Sequence, residues 1–377
     1  MSQLSILLLS MALDFGGAET HVISLAKALQ RTGLRVLVAS NGGRLVPQLE
    51  AAGIKHYPVA LHARNPLALL RSIDIIKRIV QSEDVRLMHA HARIPAWVAQ
   101  RVGRATGVPL VTTYHGCYSA HWFLRLFTTG GQQTIAVAPD VKDYLIERFN
   151  FPPEQITVIH NGIDTEQFAV AEYPPPNRQQ VTYISRMSGE RGGVALSLLE
   201  AVALLHDDFP ALRVVIVGDG DRLPEVQALA SRLNEEWGGE YCQVLGGRAD
   251  IPQLLAQAGI VVGVGRVALE AMSTGRPVIV ANEYGCYGLL EAATLQLAMQ
   301  HNFSGRGATQ ETNPVTIANA LREVLLDPER ADRAVQVARE AVETHYSVTE
   351  KAREVLNVYS KLVPELAKRE EGDNDDR

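Results

Sequence analysis

The stretch that decides the fold is Leu4–Ser40, LSILLLSMALDFGGAETHVISLAKALQRTGLRVLVAS. Leu4–Ser10 and Leu34–Ser40 are short and nearly continuously apolar, the pattern of parallel strands covered on both faces. Between them Ala18, Val22, Leu25, Ala26 and Leu29 fall on one face of a helix. A strand, a helix and a strand in that order imply a right-handed βαβ crossover.

The same alternation runs outward from this stretch. Further strand-like runs are Ile54–Val59, Val85–His91, Pro109–Tyr114, Thr134–Ala138 and Ile156–His160. The pattern restarts with Val181–Ser185, Leu212–Val217, Tyr241–Leu245, Ile260–Val264 and Pro277–Ala281. Between the two series lies Tyr173-Pro174-Pro175-Pro176-Asn177, a stiff segment that cannot continue a helix or a central strand. The expected architecture is α/β, with two doubly wound Rossmann-like domains over residues 1–170 and 171–345. Ligands of such folds sit at strand carboxyl ends, here expected to face an interdomain cleft. Residues 346–377 complete the chain. In them a helix at Thr349–Lys361 either crosses back to brace the first domain or caps the second, and Glu370–Arg377 is a solvated tail.

Composition narrows the function classes. Of 377 residues, 46% are apolar and 21% charged, which excludes wholesale disorder. A net charge of −6 leaves no basic excess for wrapping a nucleic-acid backbone, so no nucleic-acid partner is expected. A local arginine cluster can still bind a small anion. Cys117, Cys242 and Cys286 are odd in number and widely spaced, against a disulfide framework or a zinc knuckle. The apolar start has no positive flank, since the first basic residue is Lys27. No apolar run approaches the ~20 residues of a spanning helix. The expectation is a cytoplasmic protein, free or at the inner face of a membrane.

Three segments carry chemistry. Asp14-Phe15-Gly16-Gly17-Ala18-Glu19-Thr20-His21 follows the first strand, where paired glycines admit a ligand to the backbone and a helix N-terminus presents free N–H groups. Arg186-Met187-Ser188-Gly189-Glu190-Arg191-Gly192-Gly193 opens another helix, and its two guanidiniums suit a diphosphate; the bland alternative is a surface pair between Arg191 and an acid. In Gly263-Val264-Gly265-Arg266-Val267-Ala268-Leu269-Glu270, Glu270 lies one turn into an apolar helix. A carboxylate there needs hydrogen-bond donors, which a ribose diol or a salt bridge would supply. His89 and His91 alternate on one strand face, with no motif for a third metal ligand, and His115 stands at a strand end. Asp219-Gly220-Asp221 reads as a strand-to-helix turn rather than a metal motif. Ser119–Phe127 is aromatic and lightly basic; it suits a partly buried helix or, less simply, contact with a membrane or an apolar acceptor.

Together these pieces resemble a retaining GT-B glycosyltransferase of the family 4 type (glycosyl transferases group 1). The resemblance rests on GGAETHVISLAKAL (Gly16–Leu29), MHAH (Met88–His91), VIHNGIDTEQF (Val158–Phe168), ISRMSGERGG (Ile184–Gly193), VVIVGDGD (Val214–Asp221) and ALEAMSTGRPVIVAN (Ala268–Asn282). It implies a nucleotide-diphosphate-sugar donor, a UDP-sugar for preference, held mostly by the second domain. A saccharide, lipid-linked or small-molecule acceptor would lie on the first, in cell-envelope or exopolysaccharide synthesis. Neither a metal nor another cofactor is implied. By the resemblance, Arg186 matches the family Arg, Arg191 stands where Lys is usual, and both serve the leaving diphosphate with His115 near the transferred sugar. Gly16, Gly17, Gly263, Gly265, Arg266 and Glu270 line the donor side, and Glu270 matches the second Glu of the E-x7-E pattern. His89, His91 and Glu19 are acceptor-side candidates. One departure stands out: the first Glu of that pattern falls at Val262, and the loop that carries it is shortened to Gly263–Gly265. The competing readings are a GT-B sugar-nucleotide epimerase, which would need further acids near the sugar, and a degenerate non-catalytic binding protein.

Overall fold

The computed structural model describes residues 3–63, 65–171, 175 and 177–369. Most of the Tyr173–Asn177 stretch and the Glu370–Arg377 tail lie outside the described residues. The chain forms two compact units, 1–162 with 348–377, and 163–347.

Unit 1 carries seven strands: β1 (Ser5–Leu9), β2 (Arg35–Ser40), β3 (Lys55–Pro58), β4 (Val85–Ala90), β5 (Leu110–Tyr114), β6 (Gln133–Ala136) and β7 (Ile156–Val158). They form one parallel sheet in the order β3-β2-β1-β4-β5-β6-β7, so the order reverses between β1 and β4. All five side chains of β1 are buried, because both faces of the sheet are covered. Ile6 and Leu8 pack with Val22, Leu25 and Leu29 of the helix Gly17–Arg31. Leu7 and Leu9 point the other way, into a cluster with Ile76 and Val80 of the helix Pro66–Ser82 and Val98 and Val102 of the helix Arg93–Thr106. Full burial of one such side chain contributes roughly 1.5–3 kcal/mol.

Unit 2 carries β8 (Gln180–Ile184), β9 (Arg213–Val217), β10 (Cys242–Val244), β11 (Ile260–Val262), β12 (Val278–Asn282) and β13 (Gly285–Leu289). The sheet order is β10-β9-β8-β11-β12-β13, reversing between β8 and β11. Five strands are parallel. β13 pairs antiparallel with β12 and departs from the wholly parallel expectation. It is reached by the two-residue turn Glu283–Tyr284 and has glycines at both Gly285 and Gly288, which removes the apolar run by which the other strands announce themselves. The helices Glu190–Leu205, Leu223–Trp237 and Pro314–Leu326 cover one face of the sheet, and Arg266–Thr274 and Pro328–His345 the other.

The units divide at Gly162–Ile163 rather than near residue 170, because Ile163 and Phe168 are already buried in unit 2. The last long helix, Val348–Ser360, belongs to unit 1: Val348, Ala352, Val355, Leu356 and Tyr359 join the cluster of the helix Gly17–Arg31. Of the two placements open to it, the crossing back is the one found. The chain leaves unit 1 at Gly162 and re-enters it at Val348, and these points touch. A Cβ on Gly162 would stand 2.6 Å from the Val348 Cα, so only glycine fits. The aromatic Ser119–Phe127 segment is no partly buried helix. Its helical part is the single turn Trp122–Arg125, and Trp122 and Leu126 are 71% and 70% exposed, since this loop offers no apolar face continuous with the core.

Candidate active site

Within unit 2 the donor-side candidates gather at the strand ends beside the β8/β11 switch point. The Arg186–Gly189 loop is clamped beneath the turn after β9: Met187 N–H donates to Asp219 O at 2.9 Å, and Arg222 N–H to Met187 O at 2.9 Å. Gly220 lets the two turns meet, since a Cβ there would stand 2.2 Å from Met187 O. Gly192 is needed likewise against the Arg222 side chain, 2.7 Å from a Cβ. The two aspartates serve these turns. Asp219 Oδ1 accepts from Gly247 N–H at 2.9 Å and Asp221 Oδ1 from Gly189 N–H at 3.2 Å. Among the described residues no group of three or more His, Cys, Asp or Glu side chains could hold a metal ion.

Gly189 caps the helix Glu190–Leu205 with φ near +56°, a conformation that strains any other residue. Arg186 is exposed on the loop. Arg191, in the first helical turn, donates through Nε to Glu283 Oε1 at 2.8 Å, and its backbone oxygen accepts from the Tyr183 hydroxyl at 3.3 Å. An acid partner for Arg191 was the bland alternative, and it is present, but the Arg191 side chain stays 45% exposed. Glu283 and Tyr183 carried no motif.

The third segment begins where β11 ends. Gly263 is close-packed, with a Cβ placed 2.6 Å from Val267 Cγ1, whereas Gly265, at φ near +55°, has open space around its Cβ position. Gly265 caps the helix Arg266–Thr274, whose first turn carries the positive end of the helix dipole. Arg266 Nε donates to Glu270 Oε1 at 2.8 Å, and both side chains are nearly buried, at 5% and 7% exposure. Burial raises the Glu270 pKa and Arg266 opposes it. The salt bridge weighed against the ribose contact is thus real. Val262 is fully buried in β11.

In unit 1 the candidates flank its own switch point. Gly16 and Gly17 follow β1 and start the helix Gly17–Arg31, with Glu19 half-buried in its first turn. His91 ends the β4 stretch and His115 the β5 stretch; His91 Nδ1 and His115 Nε2 are 3.3 Å apart and share one hydrogen bond. His21, from the helix, brings its ring within 6.0 Å of His91 and 5.2 Å of His115. It was read only as a residue of the loop, because helical position alone does not reveal which strand end it will face. His89 is 0% exposed and tied at both nitrogens, by the Tyr359 hydroxyl at 2.6 Å and Thr113 Oγ1 at 2.7 Å. That leaves it no nitrogen for an acceptor. It supports His91, whose ring lies 4.1 Å away. His91 Nε2 is buried with no hydrogen-bond partner.

Burial pushes His89 down to about 3, assisted by His115, and holds His91 well below the usual range, assisted by His89, His115 and His21. His115 is lowered by burial to about 4, with the Asn161 side chain acting the other way. His89, His91 and His115 are therefore all neutral in the folded chain at pH 5, whereas the unfolded chain takes up their protons below about 6.5. The unfolded state binds more protons in that window, so stability falls as pH drops from about 6.5. Each ring should remove up to about 1.4 kcal/mol per pH unit. By denaturant titration the chain should be less stable at pH 5 than at pH 7, by up to about 6 kcal/mol from these three rings. Glu83, lowered to about 2 chiefly by its hydrogen bonds to Lys55 and Tyr57, loses its contribution only below pH 4.5 and does not enter the comparison. His91→Asn, which keeps an amide near Nδ1, should flatten the slope; an unchanged slope would show that His91 is not its source.

Residues 15–167 match Glycosyltransferase Family 4, and residues 178–327 match Glycosyl transferases group 1. An uncharacterized glycosyltransferase of Methanocaldococcus jannaschii is 25% identical over 91% of this chain and 94% of its own length. The alpha-maltose-1-phosphate synthase of Mycolicibacterium smegmatis is 21% identical over 92% and 96%. Among solved structures, a glycosyltransferase from Rickettsia africae superposes with a TM-score of 0.77 at 23% identity, covering 96% of this chain and 99% of that one. Anabaena HepE in complex with UDP-glucose gives 0.76 at 22% identity, covering 95% and 100%. At these identities the superpositions speak for the fold.

Proposed function

This chain is a GT-B-fold glycosyltransferase related to glycosyltransferase family 4 and to the group 1 glycosyl transferases, moving a sugar from a nucleotide-diphosphate-sugar, and on that premise we propose that the donor is a UDP-sugar and that transfer proceeds with retention and without a metal ion. The observation that carries the reading is the Arg186–Gly193 loop: a rigid, glycine-capped helix start bearing two guanidiniums at a strand end beside a switch point. HepE, the relative in complex with UDP and with UDP-glucose, supports the choice of base.

As the glycosidic bond to phosphate breaks, negative charge grows on the diphosphate and positive charge on the sugar ring. Arg186, Arg191 and the two helix N-termini at Gly189 and Gly265 oppose the growing anion, stabilising the transition state more than the ground state. Glu270 takes the ribose. The family resemblance assigns Gly16 and Gly17 to the phosphates and His115 to the transferred sugar; within the first unit His91 holds His115 through their shared hydrogen bond. A saccharide, lipid-linked or small hydroxylated acceptor enters on the Glu19 and His91 side. The exposed Trp122, Phe123 and Leu126 suit contact with a lipid surface.

The test is a thermal-shift panel of UDP, GDP, ADP and their sugars, followed by release of UDP from the sugar nucleotide that stabilises most. UDP-sugars should raise the melting temperature, and turnover should be unaffected by EDTA. Turnover abolished by EDTA and restored by manganese would overturn the metal-independent scheme. Binding without turnover across a range of acceptors would favour a non-catalytic binding protein.

A further inference from the structure

We infer that Glu283 is a donor-specificity residue: one carboxylate oxygen fixes Arg191, and the other accepts a hydroxyl of the sugar that the nucleotide carries. The inference rests on the nucleotide-sugar reading above. Glu283 is the first residue of the turn from β12 to β13. Alternation along β12 sends Ile279, Ala281 and Glu283 to the face covered by the helix Glu190–Leu205, and Ile279 and Ala281 are buried in the cluster of that face. Oε1 receives Arg191 Nε at 2.8 Å. The side chain is only 11% exposed, and Oε2 is buried with no hydrogen-bond partner. A carboxylate oxygen left so carries a desolvation cost that a bound hydroxyl would relieve.

The surroundings say which ligand atoms can reach it. In the sheet β8 and β12 lie on either side of β11, so the Arg191–Glu283 pair joins segments from both flanks of the β11 carboxyl end. There Gly263, Val264 and Gly265 present no polar side chain, and nothing but Asn302 O, at 3.8 Å, comes near a Cβ on Gly265. A guanidinium held through Nε keeps its two terminal nitrogens for an anion, and the Arg191 side chain is 45% exposed. The pair therefore offers, side by side, donors for a phosphate and an acceptor for a hydroxyl. With the ribose given to Glu270, the adjoining hydroxyl belongs to the sugar on the other side of the diphosphate. Glu283 would supply from the end of β12 the carboxylate that β11, with Val262 buried, does not.

The experiment is calorimetric titration of the parent protein and Glu283→Gln with UDP and with the sugar nucleotide giving the largest thermal shift in the panel. Gln keeps an oxygen for Arg191 but turns the second position from acceptor to donor. UDP affinity should change less than threefold, while the sugar nucleotide should bind at least tenfold more weakly. In a series of deoxy-sugar donors, one member should bind both proteins equally. Glu283→Asp, which keeps the charge but withdraws both oxygens from Arg191 and from the hydroxyl, should weaken both ligands, and the sugar nucleotide more than UDP. Equal weakening of UDP and sugar nucleotide would mean that Glu283 acts on Arg191 alone and would overturn the hydroxyl contact, as would full retention of both affinities. A parent protein that binds no sugar nucleotide overturns the underlying reading, and the inference with it.

Discussion

Arg186→Ala and Arg191→Ala should each lower kcat about 100- to 1000-fold, the usual cost of removing one preorganised donor from a developing anion. The leaving diphosphate has no metal ion to neutralise it in the proposed scheme, so each guanidinium carries a large share of the stabilisation. Both side chains are exposed, and the packing of the loop and the helix start is done by Met187 and Gly192. Substitutions at such positions usually change stability by less than about 0.5 kcal/mol. The expected signature of Arg186→Ala is thus lost turnover with an unchanged melting temperature, whereas Arg191→Ala, which strips the nearly buried Glu283 of its ion pair, should lower both. Arg191→Lys should be intermediate, because an ammonium keeps the charge and loses the fork that engages Glu283 and a phosphate together. Near-normal turnover in both alanine variants would remove the loop from the chemistry.

Glu270→Ala should act on stability and binding at once. Its carboxylate faces Arg266 inside unit 2, and breaking a buried pair by removing one partner typically costs about 3–5 kcal/mol. Loss of nucleotide affinity in that variant would be ambiguous if the unit were loosened. The double variant Arg266→Met/Glu270→Leu separates the effects, since apolar replacement of both members of a buried pair is often neutral or stabilising. It should fold well and bind UDP at least tenfold more weakly. A double variant that binds UDP like the parent would leave Glu270 a structural residue, with the ribose held elsewhere.

These residues also show what a sequence can disclose. Most of the twelve parallel strands are legible because a strand buried on both faces must be apolar at nearly every position, with β1 and its five buried side chains the plainest case; β3, Lys55–Pro58, has no buried residue and is marked only by the buried Ile54 and Val59 that flank it. β13 was missed for the converse reason, with two glycines in five residues on a sheet edge. Arg186 and Arg191 stand out as arginines in a glycine-bearing segment at a strand end, and Glu270 as a carboxylate one turn into an apolar helix, for which the structure supplies Arg266 as a partner. Their partners are another matter. Tyr359 meets His89 across 270 positions and Arg191 meets Glu283 across 92. Such pairings are settled by strand order and by the return of the last helix, neither of which leaves a local trace. His89 illustrates the cost: strand alternation aligned it with His91, but only the packing of Tyr359 and Thr113 shows that it is sealed.

The return of the chain to unit 1 also sets an order of events during synthesis. Unit 2 is continuous in sequence, from 163 to 347, and can close as soon as it clears the ribosome. Unit 1 cannot, because Val355, Leu356 and Tyr359 complete its core and are made afterwards. At about 5–20 residues per second, the first seven strands wait on the order of ten to forty seconds for their last helix. Through that interval the side of the helix Gly17–Arg31 that meets the last helix, and the ring of His89, lack their cover, so the nascent first unit is the part of this chain that a chaperone would hold and a protease would find.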